Sequence, residues 1–294
     1  MLSDNGHGKL EKIRNACCCP CIIVSVVGAH ISFSGAVFVD AFVVESFTDY
    51  IYLGGTPFAQ ERIITTSRIF AAVSQAFKKL RQFYRHLKLK PTPDLCRLFP
   101  KPTYIVSRMP IEELKFAARF NYKGRRSSDY RRSLFRATYG GEEVLVKFCE
   151  RYHGKGHSMV AEAGYAPRLF FCEQIQGGVT MVIMKFIDVP DAYYRFGDDE
   201  LPDEILKDVE SATQVLHDAG LVFGDMRQPN ILIEKRSDRE HALLIDFEWV
   251  GLEGQERYPA LLNDSGEIKW AKGVQPYAIM MREHDTDMVK KLRG

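Results

Sequence analysis

Short apolar runs separated by polar turns are the main pattern in the second half of the chain. Leu134–Gly141 and Glu143–Phe148 predict two antiparallel strands joined by a glycine turn, and Gly178–Phe186 predicts a third strand. Ile231–Ile233 and Ala242–Ile245 flank a charged segment, which predicts a hairpin with an exposed turn. This part of the chain is therefore expected to be rich in antiparallel strands.

One helix is predicted from Pro202 to His217, with signals at both ends. Pro202 suits the first turn, Asp203 and Glu204 complement the positive end of the helix dipole, and Gly220 follows the last turn. The positions on its apolar face are Ile205, Val209, Ala212 and Leu216. These side chains are expected to enter the core.

A second helix is predicted from Ser67 to Leu89, and Pro91 and Pro93 end it. Its apolar positions are Ile69, Phe70, Val73, Phe77, Leu80, Phe83, Tyr84 and Leu87. Its opposite face carries Lys78, Lys79, Arg81, Arg85 and Lys88. Some basic amphipathic helices bind membranes or nucleic acids, but more of them pack on their own domain with the basic face in solvent. The second arrangement is expected here.

Three polar residues stand at the ends of the predicted strands. Asn230 follows Asp225 by five positions and comes directly before an apolar run, and Asp246 closes another. A hairpin of these two runs would place Asn230 beside Asp246. One amide oxygen and one carboxylate suit Mg²⁺, which takes oxygen ligands and shares them with nucleotide phosphates. Taken singly, the three residues fit equally well as a cap, a turn residue and a strand-end acid.

Lys147 is a candidate for phosphate binding. Apolar, strand-like residues flank it on both sides. A phosphoryl-transfer site needs a cation on the nucleotide phosphates, a magnesium ion and an oriented acceptor hydroxyl. Lys147 would supply the cation, and the alternative is an ordinary solvated lysine on a strand.

These residues resemble the protein-kinase-like family, in which a loop of His-Arg-Asp or His-Gly-Asp is followed by four residues and Asn, with an Asp-Phe-Gly type motif downstream. The corresponding segments here are Leu216–Asn230 and Leu244–Trp249. The segment Leu216–Asp225 resembles, more narrowly, the kinase-like proteins abundant in mushroom-forming fungi, and it is similar to aminoglycoside and choline kinases. The resemblance implies ATP and Mg²⁺ as cofactors.

The same resemblance implies a role for each site residue. It makes Asp225 the catalytic base and Lys147 the cation on the ATP phosphates. Asn230 and Asp246 become the Mg²⁺ ligands. Glu162, on the next predicted helix, would orient Lys147.

Three further residues receive expected roles. Met184 and Phe186 lie where the hinge between two lobes is expected, and their backbone groups would bind adenine. An apolar core strand has the same pattern and is the alternative. Arg227 would neutralise the transferred phosphoryl group or pair with an acid.

The chain departs from the family pattern at three places. Segment 120–132, expected to hold a glycine-rich phosphate loop, contains one glycine and five arginines or lysines. Phe223 stands where relatives have histidine, and Glu248 stands where protein kinases have glycine. Asp-Phe-Glu is more usual in choline and antibiotic kinases, and an acidic pocket with Glu248 and Asp264 would favour a cationic small molecule. The missing glycine loop and Phe223 favour instead a pseudokinase that acts as a nucleotide-binding scaffold.

Composition adds two limits. The formal net charge of +2 gives no clear indication of nucleic acid as a partner. Four of the seven cysteines lie together at Cys17–Cys21, where neighbours do not easily bridge one another, which favours a reduced, cytoplasmic protein. The uncharged stretch that follows, to Val39, predicts a β-hairpin. A palmitoylated membrane anchor, a signal peptide and a zinc site are less favoured alternatives.

The expected fold is α+β and protein-kinase-like, with a β-rich N-lobe, a short helical C-lobe and an N-terminal α/β accessory segment. The expected divisions are an N-terminal tail at 1–21, the accessory segment at 22–101, the N-lobe at 102–186 and the C-lobe at 187–294. The expected function is phosphoryl transfer to a hydroxyl, with Ser or Thr of a protein favoured over a small molecule. An upstream domain found in longer relatives is expected to be missing.

Overall fold

The computed structural model describes residues 4–38, 42–55, 59–102, 113–120, 133–175, 178–237, 239–263, 266 and 268–293. The chain divides into two compact units, Met1–Pro100 and Lys101–Gly294. The second unit contains all the candidate site residues.

The first unit combines helices with a small antiparallel sheet. Its elements are α1 (Asp4–Ala16), β1 (Cys21–Val27), β2 (His30–Phe38), β3 (Phe42–Ser46), β4 (Ile51–Tyr52), α2 (Ala59–His86) and a 3-10 helix (Leu95–Leu98). Strand β2 pairs with β1, β3 and β4. The β1–β2 pair, turning at Gly28 with φ +58, confirms the hairpin predicted after the cysteine cluster. Helix α1 occupies much of the segment expected to be a tail.

Helix α2 confirms the second predicted helix with shifted ends. It begins at Ala59 rather than Ser67, because the intervening residues include no proline or glycine that would stop a helix. Its packing is less complete than expected. Phe70 contacts Phe33 edge-on at 5.4 Å, yet Phe70 and Phe77 remain 43% and 44% exposed. No helix in the described ranges is long and apolar enough to cross a membrane.

The second unit begins with a five-stranded antiparallel sheet. Its elements are β5 (Lys115–Arg119), β6 (Ser133–Tyr139), β7 (Glu142–Cys149), α3 (Gly154–Glu162), β8 (Leu169–Gln174) and β9 (Thr180–Lys185), with strand order β5-β6-β7-β9-β8. Gly140 and Gly141, both at positive φ, make the predicted turn between β6 and β7. The fully buried centre of the sheet is formed by Val144, Val146, Met181 and Ile183.

A helical region with short strands follows the sheet. Its elements are α4 (Ala192–Phe196), α5 (Asp203–Asp218), β10 (Leu221–Val222), a 3-10 helix (Gln228–Asn230), β11 (Ile231–Lys235), β12 (Glu240–Leu244), β13 (Gly251–Leu252) and α6 (Arg282–Lys291). Helix α5 packs against β12 and buries the four predicted apolar positions. In the described part of the chain after Asp246, α6 is the one α-helix.

This order of a β-rich region followed by a helical region confirms the predicted α+β class and agrees with the two lobes expected of a protein-kinase-like fold. Strand β7 carries Lys147, and the β11–β12 hairpin brings together the flanking residues Asn230 and Asp246. The lobe boundary at residue 186 remains a prediction.

Candidate active site

The β11–β12 hairpin places the predicted magnesium ligands next to each other along the backbone. Ile231 pairs with Leu244, and the N–H of Ile245 donates to the carbonyl of Asn230 at 2.9 Å. Asp246 follows at once and has φ +70, a left-handed conformation that Asp tolerates better than most residues. This residue turns the chain out of the strand direction.

Asp225 is held by hydrogen bonds at both of its carboxylate oxygens. Arg227 donates through Nε to Oδ1 at 2.5 Å and through Nη2 to Oδ2 at 2.7 Å. Asn230 donates through Nδ2 to Oδ2 and to the backbone carbonyl of Asp225, both at 2.8 Å. Charge-assisted bonds of this kind fix the direction of the carboxylate. Two roles were expected for Arg227, and the structure shows the one in which it pairs with an acid, Asp225.

Arg227 responds to this environment in its pKa. Burial lowers the pKa of the guanidinium, but the hydrogen bonds and the charge of Asp225 outweigh burial and raise it. The guanidinium also lies over the ring of Trp270, 5.5 Å from its centre. Arg227 is therefore a fixed cation beside Asp225.

Asn230 has one polar atom that protein groups leave unsatisfied. Its Oδ1 is buried and has no hydrogen-bond partner among the described residues, whereas its Nδ2 makes two bonds. A buried acceptor without a donor costs free energy unless another group satisfies it. An oxygen of this kind next to a carboxylate suits a hard cation such as Mg²⁺. The residues present thus fit the expected metal.

Lys147 is buried and bonded to two carboxylates. Its Nζ lies 2.6 Å from Oδ1 of Asp246 and 2.5 Å from Oε1 of Glu248. Burial lowers the pKa of Lys147, but the two negative charges and their hydrogen bonds outweigh burial, so that the pKa lies above its ordinary value. Lys147 is therefore a charged ammonium group at the end of the β11–β12 hairpin.

The position of Glu162 corrects one prediction. It was expected to orient Lys147, but it is the exposed last residue of α3. The carboxylates that pair with Lys147 in the described ranges are Asp246 and Glu248. Glu248 was expected to line an acidic pocket for a cationic substrate and instead neutralises Lys147. Asp264, the other expected member of that pocket, lies outside the described residues.

A cleft of about 540 Å³, including its open mouth, lies beside Lys147. It is lined by Phe120, Leu134, Leu145, Lys147, Pro167, Met184, Lys185, Phe186, Ile187, Leu232, Ile245 and Asp246. Ligand pockets are commonly lined by apolar side chains with a few polar groups, as this cleft is. Its charged lining residues are Lys147, Lys185 and Asp246, and the other lining residues are apolar.

The two predicted adenine partners lie in this cleft, with one correction. Met184 is in β9, opposite Leu145 of β7. The N–H of Phe186 donates to the carbonyl of Glu143 at 3.1 Å, so that this N–H already has a partner. The expected role of the Phe186 backbone would then fall to its carbonyl, and the ring of Phe186 meets the ring of Phe120 edge-on.

Asp285 is a site residue that the sequence did not indicate. It lies in α6, only 1% exposed, and accepts from the N–H groups of Phe223 at 2.7 Å and Gly224 at 2.9 Å. His217 Nε2 lies 3.1 Å from Oδ2 of the same carboxylate. The loop before Asp225 is therefore fixed by a carboxylate more than sixty positions away. The acidic residues of the C-terminal segment gave no spacing signal that would have singled out Asp285.

An aromatic stack supports the turn after Asp246. Phe223, in place of the expected histidine, is fully buried and meets Phe247 edge-on at 5.5 Å. His157 of α3 stacks on Phe247, with 4.5 Å between the ring centres and nearly parallel ring planes. Phe223 thus provides apolar support for Phe247, and its presence alone does not favour an inactive site. Residues 121–132, the basic segment in place of a glycine loop, lie outside the described residues.

Comparison with known proteins finds no matching family model and no matching curated protein. Among solved structures, the chain is similar to the kinase PK-1 of Cydia pomonella granulovirus, with 12% sequence identity and a TM-score of 0.40. The match covers 50% of this chain and 58% of the viral kinase. The chain thus spans less than two thirds of the length of that protein, and a likeness this partial assigns no residue role.

Proposed function

We propose that the chain is an ATP- and Mg²⁺-dependent phosphotransferase that transfers the γ-phosphoryl group to a hydroxyl. The observation that carries the proposal is the unsatisfied Oδ1 of Asn230 in a site where Lys147 and Asp246 meet at an apolar cleft. Phosphoryl transfer depends mainly on positioning and on charges placed around the phosphates, and these are the groups that this site offers.

Each residue has one task in this proposal. Asn230 and Asp246 hold Mg²⁺ through oxygen atoms, and the metal supplies positive charge that neutralises the phosphates. Lys147 binds the phosphates as a fixed ammonium. Asp225 orients the acceptor hydroxyl and receives its proton, while Arg227 keeps the carboxylate in place. The cleft beside Met184 receives the adenine and excludes water from one side.

The acceptor that we propose is Ser or Thr of a protein, on the sequence resemblance to the fungal kinase-like proteins. The second candidate is a small alcohol, as in aminoglycoside and choline kinases. Two observations favour it: the Asp246-Phe247-Glu248 sequence and the single α-helix in the described chain after Asp246. The pairing of Glu248 with Lys147 removes one argument for a cationic alcohol. We further propose a cytoplasmic setting, on the cysteine argument alone.

The experiment that tests the proposal is ATP turnover by the full chain with Mg²⁺, in wild type and in Asp246→Ala. A generic protein mixture is supplied first, and a panel of alcohols and aminoglycosides second. We expect transfer in wild type and a loss of at least about a hundredfold in the variant, since electrostatic groups of this kind contribute that much. Asp287→Ala, at an aspartate of α6 whose side chain is 43% exposed, is the matched control and should keep full activity.

A further variant separates catalysis from nucleotide binding. Asp225→Asn is nearly isosteric and lies outside the cleft lining, so that we expect it to bind ATP like wild type and to lose transfer. Full transfer by Asp225→Asn would show that Asp225 is not the base. ATP binding without transfer to any acceptor, in wild type, would favour the pseudokinase interpretation.

A further inference from the structure

Helix α3 offers no carboxylate to Lys147. Its nine residues contain a single acidic side chain, Glu162, at the exposed C-terminal end. The side chain that α3 buries next to the site is His157, which bonds Tyr152 at 2.9 Å and the carbonyl of Pro167 at 2.7 Å. A buried lysine that must stay charged needs a negative partner. In this chain that partner has to come from another element.

Glu248 is that partner, and its position is fixed relative to the strand of Lys147. Two residues shortly after β7, Arg151 and His153, donate hydrogen bonds to the backbone carbonyls of residues 247–249. His153 N–H donates to Phe247 at 3.0 Å, and Arg151 donates to Glu248 at 2.7 Å and to Trp249 at 3.2 Å. The Glu248 backbone is therefore tied to the segment that continues from Lys147.

The two carboxylates on Lys147 differ in what else they can do. Asp246 comes directly after the hairpin position opposite Asn230, the residue with the unsatisfied buried oxygen. Glu248 lies two positions further on, beyond the buried Phe247. If Asp246 serves a cation with Asn230, then Lys147 keeps one carboxylate, and that carboxylate is Glu248.

We propose that Glu248 is the positioning residue for Lys147 in this enzyme: it holds the ammonium group in place for the nucleotide phosphates when Asp246 is engaged with the metal. The role that the family resemblance assigns to a helix glutamate is thus carried by the residue two positions after Asp246. This inference rests on the proposed function and adds a residue to it.

The test compares Glu248→Gln with Glu162→Gln in the full chain. Both substitutions remove one carboxylate from a glutamate and preserve its shape. The first readout is the dissociation constant of a fluorescent ATP analogue with Mg²⁺, and the second is the separate measurement of kcat and KM. We expect Glu248→Gln to weaken nucleotide binding about tenfold and to lower kcat, because a charge-assisted contact to a buried lysine is lost. Glu162→Gln should match wild type in both.

Two further measurements show whether Glu248 acts through Lys147. In the Lys147→Met background, Glu248→Gln should leave the dissociation constant unchanged, since the group it positions is absent. The Mg²⁺ concentration for half-maximal activity should not change in Glu248→Gln, whereas a metal ligand would raise it. The proposal would be overturned if Glu248→Gln raised the Mg²⁺ requirement. It would also be overturned if adding Glu248→Gln to Lys147→Met still weakened nucleotide binding about tenfold. Either result would make Glu248 a metal ligand.

The outcomes separate this inference from the function on which it rests. If wild type neither binds the nucleotide nor transfers phosphate, both proposals fail. If wild type does both and the two glutamine variants behave alike, the inference alone fails. Thermal unfolding without nucleotide is measured for every variant, and equal midpoints show that differences in binding arise at the site.

Discussion

Two segments of the site are each held by one charged side chain that bonds two consecutive backbone groups. Asp285 accepts from the N–H groups of Phe223 and Gly224, and so fixes the loop that leads to Asp225. Arg151 donates to the carbonyls of residues 248 and 249, and so fixes the turn after Asp246. The side chain of Asp285 is 1% exposed and that of Arg151 is 46% exposed.

The two bonds in each segment are therefore expected to contribute unequally to the free energy of unfolding. Water cannot replace a buried carboxylate, so that its loss leaves the N–H groups without partners, at a cost of about 1–3 kcal/mol each. Water readily replaces an exposed guanidinium. We infer that the loop before Asp225 is fixed as part of the folding core, whereas the turn at Glu248 depends chiefly on the buried Phe247 and its neighbours.

The largest expected effect is that of Asp285→Ala. The change leaves the N–H groups of Phe223 and Gly224 and the ring of His217 without their carboxylate. We expect the free energy of unfolding to fall by about 4 kcal/mol, as for a broken buried charge network. Urea unfolding followed by circular dichroism measures it.

The control for this change is Asp287→Ala. Asp287 is also on α6, but its side chain is 43% exposed and pairs with the exposed Lys290. The unfolding midpoint should stay at its wild-type value. Equal losses in the two variants would mean that any carboxylate on α6 supports the fold in this way, and the special position of Asp285 would be refuted.

Elements with a local pattern were predicted well from the sequence. The β11–β12 hairpin follows from two apolar runs around a charged turn, and α5 follows from its periodicity and its end signals. The β6–β7 hairpin follows from Gly140 and Gly141. Each of these signals lies within about twenty residues, the range in which periodicity and turn chemistry operate.

Contacts between distant segments were not predicted. Lys147 and Asp246 are 99 positions apart, and no local signal says which of several glutamates reaches the lysine. The expectation of Glu162 came from the family resemblance, and the packing of α3 placed that residue in solvent instead. Asp285 was not predicted either. Its partners in the loop before Asp225 are distant backbone N–H groups, which almost any residue provides and which leave no signal in the sequence.

Helix α2 shows a different limit. Its period of apolar residues correctly predicts a helix, yet Phe70 and Phe77 remain exposed in the structure. Periodicity describes which residues share a face, and it does not say how much of that face finds a partner. The contrast with α5, which buries its whole apolar face, comes from the presence of β12 against α5.

The second prediction concerns His157, which supports Phe247 and so the turn that Arg151 also holds. Burial lowers the pKa of His157 to about 4. In the unfolded chain its pKa is near 6.5, so that the unfolded state takes up a proton first as the pH falls. Stability that is complete above pH 6.5 should therefore decrease by about 3 kcal/mol between pH 6.5 and 4. Urea midpoints across this range measure the decrease.

His157→Phe identifies the source of this pH dependence. Phenylalanine keeps a ring against Phe247 but does not titrate. The loss of stability between pH 6.5 and 4 should therefore be about 3 kcal/mol smaller in His157→Phe than in wild type. His86→Phe, at an exposed histidine of α2, should follow the wild-type profile. An unchanged profile in His157→Phe would mean that other groups cause the acid sensitivity.

The smallest expected effect is that of Arg151→Ala, which removes two backbone bonds and an ion pair to Glu256 at 3.7 Å. The bonds are in contact with solvent, and we expect a loss below about 1 kcal/mol in the free energy of unfolding. Arg195→Ala, at a similarly exposed arginine whose side chain pairs with Glu240 at 3.4 Å and lies over the ring of Phe196, is the control. A loss as large as that of Asp285→Ala would refute burial as the cause of the difference between the two segments. We expect Arg151→Ala to bind the nucleotide more tightly than Glu248→Gln does. Together with a small loss of stability, this result would show that Lys147 depends more on the Glu248 carboxylate than on the bond from Arg151 to the Glu248 backbone.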